Sequence, residues 1–416
     1  MAAEIYRRNN CRACSSQDLE LVLKLEPTPI GDAFVTADRL SIPQPVYPID
    51  LHMCGNCGLA QLIDVIDPRV LYGEYIYVTS SSVGLSKHFN EYADSVITRC
   101  RLPPASLVVD IGSNDGTLLR SFADKGMTVL GVEPASHIAA AARTNGINTI
   151  DQFFDKGLAK RIVDEFGFAK VVTANNVFAN IDDLTTWVEA INGLLASDGV
   201  FIFESYYLLD LLSNMVFDFI YHEHLSAFSI KPIQKLFASA GLELIAAQRV
   251  STKGGSLRFF VQRPGGPLIN DGSVLQLLNE EEKMGLYRKE KFANFADRIQ
   301  TLKIQLHDFL SQAKREGKSI AGFGASITGT TLIYHFEIGE YLDFLVDDNP
   351  AKQGRFSPGL HLPVLSSSAL YERKPDLILI LAWRFAEPFI SNNRKFLHDG
   401  GQFIVPVPEF RIVSNG

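Results

Sequence analysis

The stretch Leu107-Val108-Val109-Asp110-Ile111-Gly112-Ser113-Asn114-Asp115-Gly116 decides the fold. A short apolar run ends in Asp110, a turn with glycine at two positions follows, and Thr117-Leu118-Leu119 opens a new apolar pattern. This is the signature of a buried parallel strand feeding a glycine turn and a helix. Gly112 and Gly116 stand where a side chain would obstruct close approach of backbone to a ligand. The pattern is Asp-x-Gly-x-Asn-x-Gly, and the G-x-G-x-x-G dinucleotide fingerprint fails at this spacing. An ordinary strand–turn–helix of an α/β sheet fits the same residues.

Around this stretch, from about residue 83 to 264, strand-like and helix-like segments alternate, which predicts a doubly wound parallel sheet. Strands are expected at Leu107–Ile111, Thr128–Val132, Asn148–Ile150, Lys170–Thr173, Gly199–Glu204, Leu242–Arg249 and Leu257–Gln262. The glycine turn resembles the first motif of class I S-adenosylmethionine (SAM) methyltransferases, with Asn114 where many have a middle glycine. Seven strands, the last two close together, suit that sheet and its terminal antiparallel strand. Ligands of such sheets sit beyond the carboxyl ends of the strands. That rule marks Asp110, Gly112, Asn114 and Gly116, then Glu133, Asp151 to Phe153, Asn175 to Asn180, and Glu204 to Tyr207. A carboxylate at Glu133 can take both ribose hydroxyls. Asp151 and Gln152 can read adenine while Phe153 covers its face, and Asn175 and Asn176 end the fourth strand. A dehydrogenase could place the same acid on its ribose but would want the fingerprint glycines.

Residues 1–78 are rich in proline and show no long helical period, so they need a staple. Cys11 and Cys14 form one C-x-x-C, and Cys54 and Cys57 another, within Cys54-Gly55-Asn56-Cys57-Gly58. Four thiolates make a tetrahedral zinc site with no open position, hence structural rather than catalytic. Disulfides compete for the same residues but are disfavoured in a cytosolic chain. Cys100 stands apart as a packing residue. In Tyr75-Ile76-Tyr77, followed by hydroxyl residues to Ser82, alternation puts both phenols on one face. The hydroxyls can bond a polar ligand or cap a helix beginning near Val83.

Residues 265–315 are polar and helical, with Phe292, Phe295, Ile299, Leu302, Leu306 and Phe309 stepping by three or four. They predict a helical bridge, its charges on a solvated face. Residues 316–416 restart an α/β pattern. Strands end at Gly322-Phe323-Gly324-Ala325-Ser326, at Val346-Asp347-Asp348, after Asp376–Leu381, and at Phe403–Val405, where Pro406 stops the last. Ile327 occupies the third fingerprint position, so NAD binding is not supported. Bare amides at a helix start can still hold a pyrophosphate, and a purely structural Rossmann-like cap fits as well.

The 416 residues suggest two or three domains, and 46% hydrophobic with 21% charged residues is ordinary for a globular protein. No apolar run reaches membrane-spanning length, and no signal core follows Met1, so a cytoplasmic protein is expected. A net charge of −8 argues against nucleic acid as main partner. No coiled-coil seam appears, which leaves a monomer as the expectation.

The chemistry is expected in Phe219-Ile220-Tyr221-His222-Glu223-His224-Leu225, beyond the fifth strand. The two histidines are too close for the H-E-x-x-H zinc helix. A core or capping role for one His is the ordinary alternative. A His can abstract a proton near neutral pH, a carboxylate can orient it, and a phenol can donate to an oxygen that becomes negative.

With these pieces the chain resembles, over essentially its full length, the three-domain SAM-dependent nucleotide-sugar C-methyltransferases, of the kind used in tetronitrose synthesis. The resemblance rests on the two Cys pairs, Tyr75-Ile76-Tyr77, Asp110–Gly116, Tyr221–His224, Lys253-Gly254-Gly255-Ser256-Leu257-Arg258 and Gly322–Ser326. It implies a zinc-binding lid domain (1–78), a Rossmann-like SAM domain (79–264), and the helical bridge with a C-terminal Rossmann-like domain (265–416). It implies methylation of C3 of a nucleotide-linked 4-keto-6-deoxy sugar through an enolate. His224 is its first base and Tyr221 its second, Glu223 orients or polarises, and Tyr75, with Tyr77, lies against the sugar. Asn176, Asn180, His222 and Lys253 flank the sugar pocket, and Gly324 with Ser326 faces the nucleotide diphosphate. Asn180 and Lys253 stand where His is expected. Asn cannot exchange protons, and Lys adds a charge suited to a phosphate or carboxylate. Transfer to N or O of another nucleotide sugar or small metabolite, and a non-catalytic SAM- or nucleotide-binding module, are the alternatives.

Overall fold

The computed structural model describes residues 5–72, 78–81 and 84–415; Tyr75 and Tyr77 therefore lie outside the described residues. The central sheet has seven strands in the spatial order Glu243–Val250, Ser256–Gln262, Leu195–Tyr206, Ala169–Thr173, Leu107–Ile111, Thr128–Val132, Thr149–Ile150. All neighbours are parallel except Ser256–Gln262, which runs antiparallel to both of its own. Each segment expected from the sequence is a strand of this sheet. Successive side chains point to opposite faces. Val108, Val171 and Ile202 pack with Tyr92, Val96 and Phe122 under the helices Leu85–Cys100 and Thr117–Ala123. Val109, Val172 and Phe201 pack with Ile162, Val188 and Phe237 from the helices on the other side. Burial on both faces is why Leu107–Ile111 reads as a continuous apolar run.

The C-terminal sheet has six strands in the order Val364–Leu365, Phe344–Val346, Ile320–Phe323, Leu377–Ile380, Gln402–Val405, Arg411–Val413, with only the last pair antiparallel. The two outer strands were not expected; at two and three residues they are too short to show a period.

The N-terminal unit is a sheet of Leu19–Leu23, Leu51–Cys54 and Ala60–Leu62. Its fourth strand, Ser226–Ala227, comes from the chain just past His224 and pairs with Ala60 and Gln61. Buried Arg12 stitches the same junction, donating to the carbonyls of Leu62 and Leu225 and from Nε to Asp182 at 2.9 Å.

The bridge is Ser273–Lys283 and the long helix Lys289–Arg315. Phe292, Phe295, Ile299, Leu302 and Leu306 are buried as the period predicts, but Leu310 rather than Phe309 continues the stripe. One charge of the bridge is not on a solvated face. Glu281 is fully buried and accepts from the Tyr207 hydroxyl (2.9 Å), the Ile230 amide (2.7 Å) and the Tyr287 hydroxyl. It satisfies an amide at the start of helix Ile230–Ser239 that would otherwise be orphaned. Among the described residues, no helix is long and apolar enough to cross a membrane.

Candidate active site

The four sulfurs of Cys11, Cys14, Cys54 and Cys57 lie within 4.8 Å of one another, with Cys11–Cys57 at 3.5 Å and Cys14–Cys54 at 3.6 Å. A tetrahedral zinc with bonds of about 2.3 Å spaces its sulfurs by roughly 3.8 Å, so the donor set fits that ion. Each pair sits on a turn closed by a backbone bond, Ser15 N to Cys11 O and Gly58 N to Cys54 O. The fourfold sulfur set leaves no position for a reacting water. Cys100 is buried elsewhere, as the last residue of helix Leu85–Cys100.

At the central glycine turn, Gly112 has φ +71°, and a Cβ there would stand 2.3 Å from Val177 Cγ2. Only glycine meets both demands. Asp110 is buried, accepts from Thr173 Oγ1 at 2.6 Å, and is pushed up to about 7 by burial. Glu133 takes the Asn114 amide on Oε2 (3.0 Å) and the Ala135 amide on Oε1 (2.8 Å), while burial raises its pKa. Ser113 Oγ and Asn175 Nδ2 are buried without a protein partner on the wall of the adjoining cavity. Unpartnered polar atoms beside a glycine cradle and a ribose-type acid fit a nucleoside cofactor. Phe153 is half exposed on the same wall. Gly116 and Asp151 are not brought to it: Gly116 packs against Ile147, and Asp151 is exposed and accepts from Ser136 Oγ at 3.1 Å. The turn also docks the preceding segment, since Thr79 N donates to Asn114 Oδ1 and Ser80 N to Asp115 Oδ2.

Sequence reasoning marked Glu204 only as a position at the ligand edge and assigned no role to Arg258 or His88. Glu204, buried at the end of Leu195–Tyr206, receives Arg258 Nε at 2.7 Å on Oε1 and meets His88 Nε2 at 2.8 Å on Oε2. Arg258 lay inside a quoted motif, but nothing local linked it to Glu204 or His88.

The stretch Tyr221–His224 is held between the turn Phe217–Phe219 and the strand Ser226–Ala227. His224 Nδ1 lies 2.8 Å from the Phe219 carbonyl, which can only accept, so Nδ1 carries the proton. Nε2 then offers a lone pair, and the Tyr221 hydroxyl donates to it at 2.9 Å. Burial pushes His224 down to about 3 and raises the Tyr221 phenol well above its ordinary value. Both are neutral at physiological pH. Glu223 is buried and pushed up to about 8, chiefly by burial, then by Asp32, against the pull of Lys253. His222 is turned to the N-terminal unit, its Nε2 donating to the Tyr47 carbonyl at 3.2 Å. Burial pushes it down to about 4.

All four face a cavity of 1860 Å³ walled by the N-terminal, central and C-terminal units together. Asn176 and Asn180 line it. Asn180 donates to the Tyr72 hydroxyl at 2.9 Å, and its own Oδ1 is buried without a partner. Lys253 lines it from a left-handed position, φ +58°. On the C-terminal side, Gly324 has φ +100° with Ala382 Cβ 2.6 Å from where its Cβ would be, and Ser326 caps helix Ile327–His335 through the Gly329 amide. Asp347, beside them on the wall, accepts from the Ala325 amide (2.9 Å) and the Asn349 amide (2.8 Å).

Three family models cover the chain in succession: a zinc binding domain at residues 11–72, a methyltransferase domain at 85–247, and a C-methyltransferase C-terminal domain at 251–408. C-methyltransferase NovU of Streptomyces niveus is 33% identical over 407 residues, 98% of this chain and 97% of that protein. Among solved structures, magnesium protoporphyrin IX methyltransferase of Synechocystis PCC 6803 with bound S-adenosylhomocysteine matches at a TM-score of 0.35 and 16% identity, over 47% of this chain and 92% of that one. A SAM-dependent methyltransferase of Clostridium acetobutylicum matches at 0.34 and 13%, over 47% and 95%. With the four-cysteine site, the glycine cradle and this match along its whole length, the chain belongs to the three-domain, SAM-dependent C-methyltransferase family.

Proposed function

We propose that the enzyme methylates C3 of a nucleotide-linked 4-keto-6-deoxy sugar through an enolate. The observation that carries this reading is the neutral Tyr221–His224 pair, its imidazole lone pair taken by the Tyr221 hydroxyl, in a cavity that also reaches two separate nucleotide-type cradles. Carbon beside a ketone needs a base, enolate stabilisation, alignment and dryness.

In this reading the C4 carbonyl acidifies the C3 proton. His224 Nε2 takes that proton, through the Tyr221 phenol, which passes its own to Nε2 as it accepts the sugar's. The electron pair moves to the C4 oxygen. Glu223, protonated below about 8, donates a hydrogen bond to it; a buried carboxylic acid kept neutral is suited to that task. SAM, held by Asp110, Gly112, Asn114, Asn175 and Glu133, supplies a methyl on a positive sulfur that departs as a neutral thioether. The pair returns from oxygen to form the carbon–carbon bond, the ketone is restored, and the proton on His224 leaves to solvent. Phe153 covers the adenine, while Asn176, Asn180, His222 and Lys253 surround the sugar. Gly324 and Ser326 lie toward the diphosphate. Zinc keeps the N-terminal unit, and so the strand Ser226–Ala227, in place without entering the reaction. Neither nucleic acid nor membrane takes part, and a monomer suffices.

The test is mass spectrometry of reactions with SAM and a panel of thymidine-, guanosine- and cytidine-diphosphate 4-keto-6-deoxy sugars. At least one should gain a single methyl. No mass gain across the panel, with SAM binding demonstrated, overturns the proposal.

A further inference from the structure

Asp218 is fully buried, and no step above uses it. It lies in the turn Phe217–Phe219, just ahead of Tyr221. Its Oδ2 accepts from the indole Nε1 of Trp383 at 3.0 Å and its Oδ1 from Arg384 Nη1 at 3.2 Å. Both partners belong to the C-terminal unit. They follow strand Leu377–Ile380, which with Ile320–Phe323 flanks the point where that sheet's strand order reverses. The Arg384 guanidinium also lies 4.3 Å above the Phe219 ring. Phe219 is the residue whose carbonyl fixes the Nδ1 proton of His224. A continuous set of contacts thus runs from the C-terminal crevice through Asp218 and Phe219 to the imidazole.

A buried carboxylate–guanidinium pair costs desolvation that apolar packing would avoid, so its energetic case is weak and its geometric case is the stronger one. Arg384 is not used up by it. Among the described residues its Nε and Nη2 meet no protein acceptor, and the side chain lines the cavity. Its Cδ lies 3.3 Å from where a Cβ on Gly254 would stand, beside Lys253. A planar guanidinium fork suits paired phosphate oxygens.

We propose that Arg384 takes the substrate's diphosphate, and that Asp218 is a positioning residue transmitting that occupancy to the placement and tautomer of His224. This rests on the reading of His224 as the base. Selective ¹⁵N-histidine NMR of the full-length protein tests it with inorganic pyrophosphate as the probe, His224 being assigned through His224→Gln. Calorimetric SAM titration confirms that each variant folds. In the wild type, His224 should show one tautomer, protonated at Nδ1, and pyrophosphate should move its Nε2 resonance. Arg384→Met should bind pyrophosphate about tenfold more weakly, with the Nε2 shift lost at equal probe concentration. Asp218→Asn should bind pyrophosphate, show both tautomers, and fail to pass the shift on. A wild-type His224 indifferent to pyrophosphate, or identical spectra for Asp218→Asn and wild type, overturns the inference. These spectra need no turnover, so an inactive sugar panel with the predicted shifts intact would count against the methylation proposal alone. Should Asp218→Asn fail to bind SAM, the Arg384→Met result decides.

Discussion

The central and C-terminal sheets repeat each other closely. Counted along the chain, the first runs 3-2-1-4-5-7-6 and the second 3-2-1-4-5-6, and in both the strand beside the fifth is antiparallel. The acid ending the second strand is pinned alike in each. Glu133 takes one amide from the turn after the first strand, Asn114, and one from two residues on, Ala135. Asp347 takes Ala325 and Asn349 in the same way. They differ in what else they hold. The central turn docks Thr79 and Ser80, whereas the C-terminal turn gives its Ala325 carbonyl to Lys352 Nζ at 2.8 Å. The repeat provides two cradles, but the groups proposed to react stand in neither. They lie on residues 217–227, gripped at one end by Asp218 and at the other by the N-terminal sheet. In the proposed mechanism, topology supplies binding and a short insert supplies chemistry.

The largest effect should come from outside both cradles. His224→Ala should lower turnover by about 10³ while changing SAM affinity less than about twofold, read by steady-state kinetics and calorimetry. Parallel losses of both would break the separation of insert from cradle. Removal of zinc, by chelation or Cys54→Ser, should cost turnover roughly 10²-fold by releasing the sheet that Ser226–Ala227 joins, with SAM binding kept; collapse of SAM binding would show that the central unit does not stand without the N-terminal one. The two acids should part cleanly. Glu133→Ala should raise the SAM KM by about tenfold to a hundredfold and Asp347→Ala the sugar KM, since hydrogen bonds to charged groups carry about 1.5–3 kcal/mol. A SAM defect in Asp347→Ala would mean that the cradles are not separate. The mildest effect is on pH. Glu223 has a raised pKa of about 8, so its donating acid form prevails below that value and is lost above it. Activity should fall as pH rises through about 8. Glu223→Gln, which keeps a donor, should flatten that limb. His224, pushed down to about 3, stays unprotonated across this range, as the proposed base requires.

What was legible in the sequence was local. Most central strands announce themselves because burial on both faces makes them compact apolar runs, and the cysteine pairs because each spacing lies within five residues. What escaped depended on distance along the chain. Asp218 and Arg384 are 166 residues apart, and Glu281 meets Tyr207 across 74. Neither has a periodic or spacing signal, so Glu281 looked like one more surface charge among Glu280, Glu281 and Glu282. Ser226–Ala227 is too short to read as a strand, though it ties the Tyr221–His224 stretch to the zinc unit. Asp347 was visible as an acid ending a strand, but its kinship with Glu133 appears only when both sets of amide contacts are seen.

The most direct measurement is carbon NMR of the product made from SAM carrying a ¹³C methyl and a uniformly ¹³C-labelled keto-sugar nucleotide. The account predicts a methyl signal split by one-bond coupling to the sugar carbon adjacent to the ketone. A methyl signal without that coupling, at the shift of a methyl on oxygen or nitrogen, would contradict it.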